Sequence, residues 1–266
     1  MIKNTVIITA EKKDRTIIKT IKSCLNQNDK DIEIIVTYSK LKNEDDIKNH
    51  FTSKKVFFYK IKKKLNNKVQ DQLFKIKQSL KISKGKNIFL LDGDDLFLKN
   101  KIKIISKILN NKKVMVLDNY IIIKNNKKIK IKNSNYKSNY FYKNFINNWP
   151  KNICTSVISI KRELLFNFFN KIKIKQYKFL AIDILLTIFC YKKKKILRTN
   201  KYYTYKLDLD DSVDKDYSGF SNKLYWQRRI EQHKYNSFIN KKRYFNLDIL
   251  ISYVMAFILS TSLKFF

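Results

Sequence analysis

At 266 residues the chain is long enough to bury a large core as one α/β domain, or one domain with an appendage. Its 44% hydrophobic and 14% aromatic content excludes a disordered chain. A formal charge of +36 suggests nucleic acid as partner, yet only six of the 58 basic residues are Arg, the side chain suited to bidentate base and phosphate recognition. Lys, Asn and Ile crowd the chain while Gly (3) and Pro (1) are scarce, which reads as an AT-rich coding bias filling the surface with Lys. No nucleic-acid partner is expected on this ground, although the positive field favours anionic ligands and anionic membrane surfaces.

The first half alternates strand and helix signals. Thr5–Thr9 is a β-branched run, and Arg15–Asn26 then carries Ile17, Ile21, Cys24 and Leu25 at helical spacing. Ile32–Tyr38 predicts a second strand, Asn43–Phe51 a polar helix and Lys55–Ile61 a third strand. Val69, Leu73, Ile76 and Leu80 share one helical face, with Gly85 expected as the glycine that ends this helix. Strand–helix–strand repeated in this way predicts an α/β fold, with a Rossmann-type, mostly parallel sheet flanked by helices.

Ile88–Leu91 is a short continuous apolar run of the kind a strand buried on both faces requires, and it stops on Asp92-Gly93-Asp94-Asp95. Three carboxylates within four positions repel one another, and a divalent cation between them relieves this, because hard cations take carboxylate and phosphate oxygens. Ligands of open α/β sheets bind beyond the carboxyl ends of the strands, where this cluster falls. Gly93 suits a turn or a close backbone approach. A solvated acidic turn before a helix near Asn100 is the plainer alternative.

The second half is less regular. Val114–Leu117 predicts a strand, Ile121–Ile131 a hairpin around Asn125-Asn126, and Phe141–Trp149 a helix ending at Pro150. Ile153–Ile160 reads as a strand, Lys161–Asn170 as a helix and Leu180–Tyr191 as a strongly apolar helix. Asp208–Tyr217, with five acids, reads as a mobile loop, and Phe220–Lys241 as a long helix. The uncharged stretch Ile249–Leu263 falls short of the roughly 20 residues a spanning helix needs, and reads as a helix packed on the domain or lying in a membrane interface. Cys24, Cys154 and Cys190 form no Cys-x-x-Cys, so buried thiols in a reducing cytoplasm are expected rather than zinc or disulfides. The run Val6–Ile8 is too short for a signal peptide. With His50 and His233 as the only histidines, a general base would be a carboxylate.

Several of these segments together resemble a family 2 glycosyltransferase of GT-A fold. Val6-Ile7-Ile8-Thr9-Ala10 is similar to that family's first strand and donor-binding turn, and Ile21–Gln27 with Ile32–Val36 to its first helix and second strand. Lys84-Gly85-Lys86-Asn87 through Asp95 resembles its Lys-Gly-strand-Asp-x-Asp-Asp block without a gap. Trp149-Pro150 with Thr155-Ser156, Ile182-Asp183 and Trp226-Gln227-Arg228-Arg229 resemble, more loosely, its acceptor half.

The resemblance implies metal-dependent, inverting transfer of a sugar from a nucleotide-diphosphate donor to an acceptor hydroxyl, in cell-surface polysaccharide or glycan synthesis. It implies Mn or Mg held by Asp92 and Asp94, donor contacts from Thr9, Ala10, Glu11, Tyr38, Asp92 and Asp95, and Asp183 as the base. Arg228 and Arg229 are candidates for diphosphate or acceptor contacts. Residues 1–206 would form the catalytic domain (1–110 donor half, 111–206 acceptor half) and 207–266 the acidic loop and C-terminal helices. The acceptor would be a glycan or lipid-linked, with the protein in the cytoplasm or on the inner face of an anionic membrane. Two departures stand out: Thr37-Tyr38-Ser39 replaces the family's acidic turn after the second strand, and Glu11-Lys12 its usual Tyr-Asn. A basic nucleic-acid-binding protein and a non-catalytic GT-A-like scaffold are the other readings open at this point.

Overall fold

The computed structural model describes residues 2–11, 14–29, 31–62, 65–125, 127–133, 150–207, 217, 219–241 and 247–261. The expected Phe141–Trp149 helix and nearly all of the acidic stretch from Asp208 lie outside them. Strands β1 (Asn4–Ala10), β2 (Ile32–Tyr38), β3 (Val56–Lys60) and β4 (Asn87–Asp92) are joined by helices α1 (Asp14–Leu25), α2 (Glu44–His50) and α3 (Lys68–Ile82). Parallel neighbours need such crossovers, and the β3-β2-β1-β4 half of the sheet is parallel throughout. Asn67 starts α3 by accepting a hydrogen bond from the Gln70 amide at 2.9 Å.

Strand β4 is buried on both faces, as its unbroken apolar run predicts. Ile88 and Leu90 join one core with Val69, Leu73, Ile76 and Leu80 of α3. Phe89 and Leu91 join the opposite core, with Ile17, Ile21 and Cys24 of α1. All three cysteines are buried free thiols.

After β4 come β5 (Leu96–Phe97), α4 (Lys101–Asn111), β6 (Met115–Lys124), β7 (Lys127–Ile131), a 3-10 turn (Thr155–Val157), β8 (Ile158–Lys161) and α5 (Arg162–Lys171). Helix α6 (Ile182–Lys192), β9 (Ile196–Leu207), α7 (Lys223–Asn240) and α8 (Leu247–Thr261) follow among the described residues. The sheet order is β3-β2-β1-β4-β8-β6-β9-β5, with β7 on β6. This half is mixed: β8 runs antiparallel to β4 and β6, while β9 is parallel to β6.

Several expectations are corrected here. The strand expected from Ile153 begins only at Ile158, because Thr155–Val157 coils into the 3-10 turn. Strand β9 was not legible, its alternation diluted by Lys on a half-exposed surface. Gly85 is no helix-ending left-handed glycine: α3 stops at Ile82 with Ser83 extended. Gly85 is needed instead for close packing, since a Cβ there would lie 2.6 Å from the Thr5 nitrogen. The β6–β7 hairpin turns through Asn125, whose φ of +47° lies in the left-handed region that Asn tolerates. No helix among the described residues is long and apolar enough to cross a membrane.

Candidate active site

Registers Thr9↔Thr37, Ala10↔Tyr38 and Thr9↔Asp92 bring the carboxyl ends of β1, β2 and β4 to one edge of the sheet. The acidic turn crosses this edge beside β1. The Gly93 amide donates to the Thr9 carbonyl at 2.9 Å, and a Cβ at Gly93 would lie 3.1 Å from that oxygen, so glycine permits the strand to turn so tightly against β1. The Thr20 hydroxyl of α1 secures the turn from the other side, donating to the Gly93 carbonyl at 3.0 Å.

The three aspartates differ. Asp92 is partly buried, and its Oδ1 accepts from Gln72 Nε2 at 2.7 Å and from the Thr9 hydroxyl at 3.3 Å. Asp95 is 2% exposed and accepts from the Ser156 hydroxyl at 2.5 Å and the Leu207 amide at 3.2 Å. The same Ser156 hydroxyl accepts from the Asp92 amide at 3.0 Å. Asp95 therefore holds the turn to the 3-10 segment and to β9, while Asp94 stays partly exposed at the apex.

Burial, then the Asp94 charge, push Asp92 up to about 7; Lys206 pulls the other way and Asp183 adds to the rise. Burial and the neighbouring carboxylates also raise Asp95. Asp183, in the first turn of α6, is thus brought into the field of the acidic turn, although some ninety residues separate them in sequence. It is 7% exposed, and its Oδ1 accepts from the Ile184 amide at 2.7 Å.

Beneath the turn, Lys101 is fully buried, 2.8 Å from Asp118 Oδ1 of β6 and donating to the Ser156 carbonyl at 2.6 Å and to Thr204 at 2.8 Å. The pair pins the 3-10 segment and β9 under the site. At the end of β1, buried Lys75 pairs with Asp71 at 2.8 Å, donates to the Ala10 carbonyl at 3.1 Å and lies 3.5 Å from Glu11. Thr9, Ala10 and Glu11 are thereby held at the strand edge beside Asp92, with Ala10 itself buried.

Two expected contacts fall elsewhere. Tyr38 is wholly buried and its hydroxyl donates to Glu44 at 2.8 Å, so its ring belongs to the core and offers no face for stacking on a base. Arg229 pairs with Asp248 of α8, donates to the Tyr225 hydroxyl at 3.1 Å, and lies over the Tyr225 and Trp226 rings. The Asp248 pair ties Arg229 into the junction of α7 with α8. Arg228 stacks over the Tyr217 ring at 5.0 Å.

Glu231, on the same helix, is buried. It is 8% exposed and accepts from three successive amides, Lys178, Phe179 and Leu180, at 2.6, 2.7 and 2.8 Å. These residues lead directly into α6 and Asp183. Gln72, Lys75, Lys206 and Glu231 were all missed from sequence, and Ser156 was named only as part of a segment resembling the acceptor half. Lys206 had no signal among so many lysines, whereas Gln72 lies one position from the apolar face of α3, a weak hint that it points to the strand ends.

Asp92 and Asp94 form a hard-oxygen donor set whose mutual repulsion a divalent cation would relieve. Among the described residues no group of three or more His, Cys, Asp or Glu side chains could hold an ion alone. Two carboxylates fit a cation whose remaining ligands are substrate phosphates and water.

The family model for glycosyl transferase family 2 matches residues 5–168, well over half of the chain. The chain belongs to this family. The matched span contains the acidic turn, Gln72 and Ser156, and ends within α5. Solved structures similar to this chain include S. aureus TarS 1-349 in complex with UDP, at 13% identity and TM-score 0.62, covering 88% of this chain and 65% of that one. The same TarS portion with UDP-GlcNAc gives 12% and 0.63 over 88% of this chain and 66% of that one, and a further structure of TarS 1-349 gives 12% and 0.62 over 94% and 71%. The chain thus spans about two thirds of the TarS chains, and at this identity the match establishes the GT-A-like fold. A search of the curated proteins returns no match.

Proposed function

We propose that the protein transfers a sugar, with inversion, from a nucleotide-diphosphate donor to a hydroxyl of a glycan or lipid-linked acceptor in cell-surface polysaccharide or glycan synthesis. The observation that carries this reading is the convergence of the acidic turn, Lys206 and Asp183 at the carboxyl edge of the sheet. TarS in complex with UDP-GlcNAc makes a UDP-N-acetylhexosamine the first donor to test.

Donor phosphates would approach Asp92 and Asp94, with Thr9, Ala10 and Glu11 along the strand end and Lys206 as the nearby cation. A Mn or Mg ion bound there would supply Lewis-acid neutralisation of the leaving diphosphate. Asp183, entering from a separate helix, takes the proton of the acceptor hydroxyl as its oxygen attacks the anomeric carbon opposite the departing diphosphate. Asp95, tied to Ser156 and Leu207, keeps the turn in shape rather than meeting the donor. The reaction belongs on the cytoplasmic side, with the protein resting on the inner face of an anionic membrane where lipid-linked acceptors are held.

Calorimetry with UDP and Mn²⁺ on Asp94→Asn tests the proposal. Loss of metal-dependent binding with unaltered thermal unfolding is expected, because a neutral amide cannot match a carboxylate toward a hard cation. Unchanged binding would remove the metal from the reaction. Tight, steeply salt-dependent DNA binding with indifference to nucleotide sugars would instead favour the nucleic-acid reading.

A further inference from the structure

Helix α8 is built inside out. Its buried residues are the polar Asp248 and Ser252, at 6% and 0% exposure. Asp248 pairs with Arg229 of α7 and lies 3.4 Å from His233 Nε2, and the Ser252 hydroxyl donates to the Asp248 carbonyl at 2.6 Å. Meanwhile Leu250, Ile251, Val254, Phe257 and Ile258 stand 41–69% exposed. At about 100° per residue these positions, with Leu247 and Tyr253, cover an arc of roughly 160°. A helix stabilised only by packing on its own domain would bury that arc and turn Asp248 and Ser252 to water.

We propose that this outward face of α8 seats the protein on an anionic lipid bilayer. Asp248 is the only charged side chain between Leu247 and Thr261, and it faces α7, so the outward arc carries no charge. In sequence the helix is bracketed by Lys241-Lys242-Arg243 and Lys264, within a chain of net charge +36. Apolar side chains can enter the acyl boundary while flanking lysines meet anionic headgroups. At 15 residues the helix is roughly 22 Å long, shorter than the ~30 Å hydrocarbon core, so it lies in the interface instead of crossing it. A second copy of the chain is the rival occupant, but pairing would bring two strongly positive surfaces and their basic brackets together. Anionic lipid supplies the opposite charge. The inference extends the membrane placement above and is independent of the transfer chemistry, since failure to dock leaves transfer to a soluble acceptor untouched.

Flotation of the full chain with vesicles tests it, using phosphatidylcholine alone and an equal mixture with phosphatidylglycerol. Binding to the mixed vesicles is expected to be at least about tenfold tighter than to phosphatidylcholine and to weaken as salt rises. Replacing Val254→Ser together with Phe257→Ser should lower vesicle binding at least about tenfold, with unchanged thermal unfolding because both side chains are already in water. No binding to the mixed vesicles would overturn the proposal, as would a double variant that binds like wild type, which would assign the attraction to the lysine surface alone. A dimer in sedimentation velocity that the double variant dissolves, without vesicle binding, would give the face to a second copy.

Discussion

One fully buried carboxylate and a cluster that is partly open to solvent lie close together in this fold and are treated in opposite ways. Asp118, at 0% exposure, is raised by burial, but Lys101 at 2.8 Å and Thr204 at 2.7 Å offset that rise, and the group works as a strut. The acidic turn gathers Asp92, Asp94 and Asp95 with Asp183 in range, and Lys206 offsets only part of their repulsion, leaving Asp92 near 7. The chain can place a cation directly on a buried carboxylate where rigidity alone is needed. Where it leaves like charges together at a strand end, the missing compensation points to a ligand.

Breaking the functional group should cost rate and leave the fold. For Asp183→Asn we expect turnover to fall by about 10²–10⁴-fold with donor affinity near normal, the usual worth of a general base. Steady-state kinetics beside donor calorimetry checks this, and retention of both activity and affinity would make Asp183 structural. Breaking the strut should do the reverse. Lys101→Met leaves Asp118 buried without its cation, and denaturant unfolding should show a loss of about 3–5 kcal/mol. A loss under about 1 kcal/mol would mean that water reaches Asp118 and that the pair is no strut.

Glu231 lies between these cases, a structural carboxylate set near the proposed base. Its three amide bonds fix Lys178–Leu180, the segment just ahead of α6 and Asp183. Glu231→Gln would turn an NH₂ group toward amide donors, and we expect a stability loss of about 1–3 kcal/mol. If positioning matters, kcat should fall roughly tenfold with donor KM unchanged. A lower melting temperature with unchanged kcat would confine Glu231 to holding the loop.

The contrast also explains what the sequence could reveal. Strand β4 and the helical face Val69–Leu80 were legible because burial repeats locally, every residue or every turn, as were the three glycine-spaced acids that end the strand. Partners that meet through topology were not. Ser156 reaches Asp92 and Asp95 only because β8 inserts antiparallel beside β4, a pairing that no local pattern encodes. Lys75 and Lys101 look like surface lysines in a lysine-filled chain, yet they are 1% and 0% exposed. Tyr38 runs the other way: the resemblance implies a donor contact, but its ring is wholly buried and its hydroxyl donates to Glu44.

Asp92 keeps its proton up to about 7 when folded, against its ordinary 3.8. Between those values the native state binds more protons than the unfolded chain, so this group lowers stability as pH rises through the window, and the penalty is constant above it. Asp92→Asn removes the titration while keeping an oxygen for Gln72 and Thr9. Without ligand, the variant should melt about 2–4 °C above wild type at pH 8, the shift that roughly 1 kcal/mol gives in a chain of this size, with the difference shrinking toward pH 4. Adding UDP and Mn²⁺ should reverse the order, because only wild type gains the stabilisation of a bound ligand. Scanning fluorimetry at the two pH values, with and without ligand, reads all four states. A variant less stable than wild type at pH 8 without ligand would show that Asp92 is satisfied by its neighbours, and the acidic turn would then be a strut like Asp118.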